Sequence, residues 1–316
     1  MMNNKEKTTM RIFFVTLVLT ALVFTGNSMA AGVGSTAGTT LLQPVSAKTA
    51  GTAEACTALA GDIISLHYNP AGLASFEGQD ASMMYQLGFG GDSFAAVIYG
   101  KKLSFATIGA SLLLYSTGII ELEDLNGNSV KKVGQSDTVL TVGAAKKLGS
   151  LNLGLGMKAI SSQIFGNGAT AMAVDIGAQY DTLEIAGGTV NLGIAIQNFG
   201  SKLTYGGRGE YLPLKVRIGG AYKKAINETQ SITGYLDFPY YVHDRMLLGQ
   251  LGVEYMPNSS LFVRGGYRYN ISSPVSEMEP LALGIGFVKK KYLIDYSFSI
   301  TKGIGIPHRL SIKMKI

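Results

Sequence analysis

The chain has 316 residues, a formal net charge of +6, 41 glycines and no tryptophan. Charged residues make up only 15% of it, against roughly 25% in ordinary soluble domains, which argues against a water-soluble fold. Its one cysteine, Cys56, excludes an intramolecular disulfide framework and reads as a buried small apolar residue. The basic groups lack the interleaved aromatics of nucleic-acid binders, so no nucleic-acid partner is expected.

Residues 1–30 have the order of a secretory signal. Lys5, Lys7 and Arg11 form a basic start, Ile12 to Phe24 an apolar run, and Ser28-Met29-Ala30 a small-x-small site, with cleavage expected before Ala31. The apolar run is shorter than the roughly 20 residues a spanning helix needs.

Residues 31–79 differ in character from the rest of the mature chain. Ala31 to Thr40 is small and flexible in composition, Leu41 to Ser46 reads as a short extended piece, and the Ala-rich stretch from Thr52 to Ser65 as one or two helical turns. Pro70 then breaks regular structure. In Asn69-Pro70-Ala71-Gly72-Leu73-Ala74 the Asn starts a tight turn and the Pro fixes φ.

From residue 80 the hydrophobic period is two. Leu151, Leu153, Leu155 and Met157 share one face, and Asn152, Gly154 and Gly156 the other. The same alternation returns at Val190 to Gln197, at Leu281 to Phe287 and at Arg309 to Ile316. About 14 such segments succeed one another, each near the length of a tilted spanning strand. They run over 80–87, 93–99, 104–122, 137–146, 151–162, 170–181, 189–198, 214–223, 231–238, 246–256, 261–269, 280–288, 292–300 and 308–316. The second and third are apolar on both faces and are the least well defined.

Lys101-Lys102, Lys146-Lys147, Lys223-Lys224 and Lys289-Lys290-Lys291 all sit at junctions after even-numbered strands. So does the short turn from Met256 to Ser260. Longer connections, at Asp124–Ser136, Gly200–Pro213 and Asn270–Glu279, come after odd-numbered ones. Short turns at one end and long loops at the other fit an all-β, transmembrane antiparallel barrel of about 14 strands in the cell outer membrane, over residues 80–316. The small inward residues leave room for residues 31–79 as a luminal hatch or plug. Outer-membrane lipids are then expected neighbours. The C-terminal strand ending at Ile316 would present the chain to the barrel-assembly machinery.

The same phasing points Lys158, Lys215, Arg217, Arg264, Arg268, Arg309, Lys313 and Lys315 inward, with Asp175, Asp237, Glu254 and Asp295. Buried charges must be paired, so a structural salt-bridge lattice is one reading. The other is that Lys158, Arg217, Arg264, Arg268, Asp295 and Lys313 meet the carboxylate of an amphipathic ligand. The two can coexist. No Walker loop, dinucleotide fingerprint or metal spacing occurs. His67, His243 and His308 are far apart in sequence, and His243-Asp244 reads as a solvated loop pair. No enzyme, cofactor or metal is expected.

Ala58-Leu59-Ala60-Gly61-Asp62, Ser65 and the Asn69–Ala74 string, placed between a signal-like start and a barrel pattern, resemble the PorV/PorQ family, which belongs with the FadL-type (FadL/TodX-like) outer-membrane proteins. The resemblance is close over the N-terminal segment and architectural elsewhere. His67-Tyr68 departs from the family's usual aromatic pair, and the chain leaves little room for large extracellular loops. The resemblance implies a 14-stranded barrel with a hatch, passive uptake or binding of hydrophobic or amphipathic small molecules such as long-chain fatty acids, and release through the wall. It also implies the alternative of a structural or shuttle role in a type IX-like secretion system, with secretion proteins as partners.

Overall fold

A computed structural model describes residues 36–88, 91–123, 129–272, 281–300 and 306–316. The signal-like residues 1–30 lie outside the described residues, as do 31–35 and parts of four connections, at 89–90, 124–128, 273–280 and 301–305. Among the described residues no helix is long and apolar enough to cross a membrane.

Fourteen antiparallel strands close into one barrel. They are labelled in chain order: β1 Gln79–Leu87, β2 Ser93–Lys102, β3 Thr107–Ser116, β4 Gln135–Leu148, β5 Leu151–Ile164, β6 Asn167–Ile185, β7 Gly188–Gly200, β8 Lys215–Ala225, β9 Ser231–Tyr241, β10 Met246–Asn258, β11 Leu261–Asn270, β12 Leu281–Lys289, β13 Tyr292–Ile300 and β14 His308–Lys315. β14 pairs with β1 from Asp80↔Lys315 to Leu87↔His308, which leaves no sheet edge.

The barrel is inside-out relative to a soluble protein. Leu153, Leu155 and Met157 are 41, 48 and 50% exposed, while Asn152, Gly154, Gly156 and Lys158 between them are buried. β12 repeats this with Leu281, Leu283, Ile285 and Phe287 outward. An apolar exterior over a polar interior is the pattern that lipid selects.

Two expectations about the strands are corrected. The strand expected over 104–122 ends at Ser116, because Gly118 turns the chain at φ 73°, and Ile119–Glu123 pairs instead with Ser129–Val133 as a separate hairpin. The lysine pairs at 101–102, 146–147 and 223–224 lie in the ends of β2, β4 and β8, not in the turns after them. β5 and β6 are joined by the tight Phe165-Gly166 turn, at the same end as the longer connections. A second hairpin, Leu203–Tyr205 with Arg208–Glu210, stands in the β7–β8 connection.

Residues 36–76 pack against inward faces of the strands: a Cβ on Gly100, Gly143, Gly154, Gly193 or Gly266 would fall against Ile63, Leu66, Ala71, Thr57 or Ala53 respectively. The segment starts at the long-loop end, where Ala37 N–H donates to Tyr211 C=O, and ends at the short-turn end, where Lys102 N–H donates to Gly78 C=O. Its elements differ from expectation. Thr39–Leu42 is one turn of 3-10 helix, so the extended piece expected over Leu41 to Ser46 loses its first two residues, while Gln43 and Ser46 are extended. Helix α1 (Ala47–Gly51) precedes the Ala-rich stretch, with the Ser46 side chain accepting from Lys48 N–H as its cap. The stretch itself is mostly turns, because Ala53 and Glu54 adopt left-handed φ of 52° and 60°. Helix α2 (Ser65–Tyr68) and the 3-10 helix Pro70–Ser75 come next.

The two-faced apolar character of β2 and β3 now has a cause. Phe94, Ala96, Ile98 and Leu113 face inward and pack in one buried cluster with Leu59, Ile63, Ile64 and Phe76 of the luminal segment. On this side the lumen is filled by an apolar core. On the opposite side it is filled by charge.

Candidate functional site

The Asn69–Ala74 string is held at the junction between luminal segment and wall. Asn69 caps the Pro70–Ser75 helix by accepting from Ala71 N–H, and its amide donates to Thr57 C=O at 2.8 Å and Ala178 C=O at 3.2 Å. Pro70 at the first helical position supplies the fixed φ and needs no donor there. Gly72 is required by space: a Cβ there would lie 2.2 Å from Leu59 O and 2.7 Å from Ser65 Cβ. Leu73 and Ala74 pack with Leu66 and Ala145.

The wall beneath this turn is a floor of glycines. A Cβ on Gly154 of β5 would meet Ala71 N at 2.3 Å, one on Gly177 of β6 would meet Asn69 Oδ1 at 1.9 Å, and one on Gly193 of β7 would meet Thr57 O at 2.3 Å. Gly154 and Gly177 are directly paired across the sheet. Gly154 and Gly193 permit backbone-to-backbone approach, and Gly177 admits the Asn69 side chain, all of which an added side chain would prevent. Past the turn, Ser75 donates to Asp181 at 2.6 Å, and Asn152 and Lys147 donate to the same carboxylate.

The inward charges sort into two sets. Wall-to-wall pairs are Lys158–Asp175 at 2.7 Å, Arg264–Glu254 at 2.6 Å and Arg264–Asp295 at 2.5 Å. Wall-to-segment contacts are made by Arg217, Asp237, Arg268 and Lys313. Asp237 Oδ2 accepts from Cys56 N–H, Thr57 N–H, the Thr57 hydroxyl and Arg217. Arg217 also donates to Glu54 C=O and Thr57 Oγ1, and its guanidinium lies 5.3 Å from the Tyr68 ring centroid. Arg268 pairs with Glu54 at 2.5 Å, and Lys313 and Lys48 share Asp62 at 3.1 and 3.0 Å.

Burial would raise the Asp62 carboxyl, but Lys313 and Lys48 outweigh it and hold it well below the usual carboxylate range. Burial, with Lys158, Lys215 and Arg217 nearby, drives His67 well below its ordinary value, so it is neutral at pH 7. Arg309 is buried and donates to Gln86 and Ser299. Lys215 is buried with its amine 5.2 Å from the Tyr241 ring centroid, whereas Lys315 ends exposed at the short-turn rim.

Sequence reasoning missed Glu54 and named Asp62 only as a motif residue, without the Lys313 and Lys48 it pairs with. Carboxylates in an Ala-rich stretch facing a basic lumen were the available signal. It also misread Asp244, which is buried, and His243, which stacks on Tyr211 at 4.3 Å rather than being solvated. Among the described residues no three His, Cys, Asp or Glu side chains group as metal ligands. Cys56 is buried and free.

A closed, lipid-facing antiparallel barrel of this kind is an outer-membrane protein. The chain belongs to the family of the type IX secretion system protein PorV, whose family model matches residues 28–242. Its fold is similar to that of the toluene transporter TbuX of Ralstonia pickettii, at 12% identity and TM-score 0.56, covering 86% of this chain and 98% of that one. The toluene transporter TodX of Pseudomonas putida is similar at 13% identity and TM-score 0.56, covering 85% and 96%. A Pseudomonas aeruginosa FadL homologue is similar at 11% identity and TM-score 0.52, covering 86% and 98%. At these identities the likeness is one of fold. No curated protein matches the sequence. The expectation of a non-enzymatic chain agrees with this family and with the transporter barrels it resembles.

Proposed function

We propose that the barrel passes hydrophobic or amphipathic small molecules across the outer membrane, with residues 36–78 acting as a hatch. The observation that carries this reading is an irregular wall. Between β6 and β7 the pairing skips between Val174 and Ile176, and Asp175 turns inward to Lys158 and to Asn198 N–H. Asn198 opposite is left-handed, at φ 61°. A groove of about 480 Å3 lies beside it on the outer face, among Leu140, Ala159, Met172 and Ser201. Bulges bend strands and end pairing, which suits a lateral exit to lipid. The barrels named as toluene transporters support the same reading by fold. The Asn69–Ala74 turn is the proposed hinge, and the contacts that Arg217, Arg268 and Lys313 make with the segment are the proposed latch, while Lys158, Arg264 and Asp295 brace the wall around it.

Pro70→Leu separates an anchoring turn from a gating one. The substitution restores a backbone N–H and frees φ while keeping an apolar side chain. A gating turn predicts a barrel that still assembles, seen as heat-modifiable migration on a gel, with altered long-chain fatty-acid uptake by cells. Failure to assemble would show that the turn only anchors.

The family match favours a second reading, in which the barrel is a structural or shuttle component of a secretion system. Co-purification with proteins that carry a shared C-terminal sorting domain would support it. Isolation without them, alongside active uptake, would count against it.

A further inference from the structure

The short-turn end of the lumen carries a charged feature that the latch does not use. A cavity of about 410 Å3 opens there, bounded by the luminal segment and the ends of β8 and β10 to β14. Its deep wall holds Lys48, Arg264 and Lys313. Asp62, Glu254 and Asp295 pair with those three, so the deep charges cancel.

The rim is different. Lys223, Lys290, Lys291 and Lys315 surround the opening, and none of them forms an ion pair among the described residues. Each comes from a different strand end or from the β12–β13 turn, so the topology alone gathers them. One side of the same cavity is apolar, formed by Phe262, Val288 and Leu293. Lys315 has Asp80 opposite it across the β1–β14 ladder, but four ammonium groups outnumber that one carboxylate over a low-dielectric mouth and attract anions, and the apolar side suits a hydrocarbon body.

We propose that this mouth binds the head group of an anionic amphiphile: a phosphate or carboxylate held at the rim lysines, with its chain against Phe262, Val288 and Leu293. The proposal rests on the amphiphile reading of the barrel and adds the charge of the ligand and the place where it is held. The ligand comes either from free amphiphile in the lumen or from an anionic lipid of the surrounding leaflet.

Calorimetric titration of the full chain, in nanodiscs of zwitterionic lipid, tests it with dodecyl phosphate as probe. The expected result is binding about tenfold tighter than that of dodecanol or of inorganic phosphate. The triple variant Lys223→Gln, Lys290→Gln, Lys315→Gln should lose about that factor for dodecyl phosphate and leave dodecanol binding unchanged. The single variant Lys290→Glu gives the same direction should the triple variant misassemble. Repeating the titration in nanodiscs with anionic lipid assigns the source: a weakened apparent affinity means that lipid head groups occupy the mouth, and an unchanged one means free amphiphile, both in support. Equal binding of dodecyl phosphate and dodecanol, or native affinity in the variants, would overturn the proposal. Uptake of a neutral long-chain alcohol separates the two readings. Uptake without anion binding overturns only the mouth, and anion binding without uptake overturns only the passage.

Discussion

Asp237→Ala should destabilise the folded barrel by about 3–5 kcal/mol, the cost of leaving a buried charge without its partner. Asp237 and Arg217 are both almost wholly buried, and one carboxylate oxygen accepts four donors. Two of those donors are the backbone N–H groups of Cys56 and Thr57, so the loss strands buried amides as well as a guanidinium. Asp237→Asn keeps the shape and one acceptor, and should fall between the native protein and the Ala variant. Arg217→Met combined with Asp237→Leu removes both charges and should recover part of the loss, since paired removal is far cheaper than removal of one partner. Unfolding midpoints in detergent, read by heat-modifiable migration, check the order. Equal stability of Asp237→Ala and the native chain would mean that the segment is not held through this contact.

Gly177→Val should expel the Asn69–Ala74 turn from its seat while the barrel still closes. The added Cβ falls 1.9 Å from Asn69 Oδ1 and 3.1 Å from the Pro70 ring, and Asn69 cannot yield without losing its cap on Ala71 and its bonds to Thr57 and Ala178. Those bonds contribute roughly 1 kcal/mol each, less than a barrel of 14 paired strands gains from its ladder. Hydrogen exchange of residues 69–76 should therefore rise sharply, and planar-bilayer conductance should increase. Gly234→Val is the matched control, because nothing lies within 4 Å of a Cβ there. Native protection and native conductance in Gly177→Val would mean that this floor does not seat the turn.

The barrel was legible because lipid imposes a strict rule on alternate residues. Period-two faces such as Leu151 to Met157 fixed the strand count and the inward phase, and with them the luminal placement of Lys158, Arg217, Arg264, Arg268, Asp295 and Lys313. What the alternation could not reveal was what each charge meets. Glu54 and Asp62 reach Arg268 and Lys313 across more than 200 residues of sequence, through a segment with no periodicity of its own. The left-handed pair Ala53 and Glu54 lies just past helix α1, where Gly252 and Gly266 let the backbone press against the wall, and no local propensity marks such a turn. The apolar inward faces of β2 and β3 obscured their pattern because a core inside the lumen, around Ile63 and Leu66, covers them. The two hairpins in the long connections obey no membrane rule and were hidden for that reason.

The proposed passage of hydrophobic compounds past a luminal hatch is tested most directly by uptake of a fluorescent long-chain fatty acid into proteoliposomes. Uptake should be faster with the native protein than in protein-free vesicles, and faster still with Gly177→Val. Uptake equal to that of protein-free vesicles, in both the native protein and the variant, would contradict it.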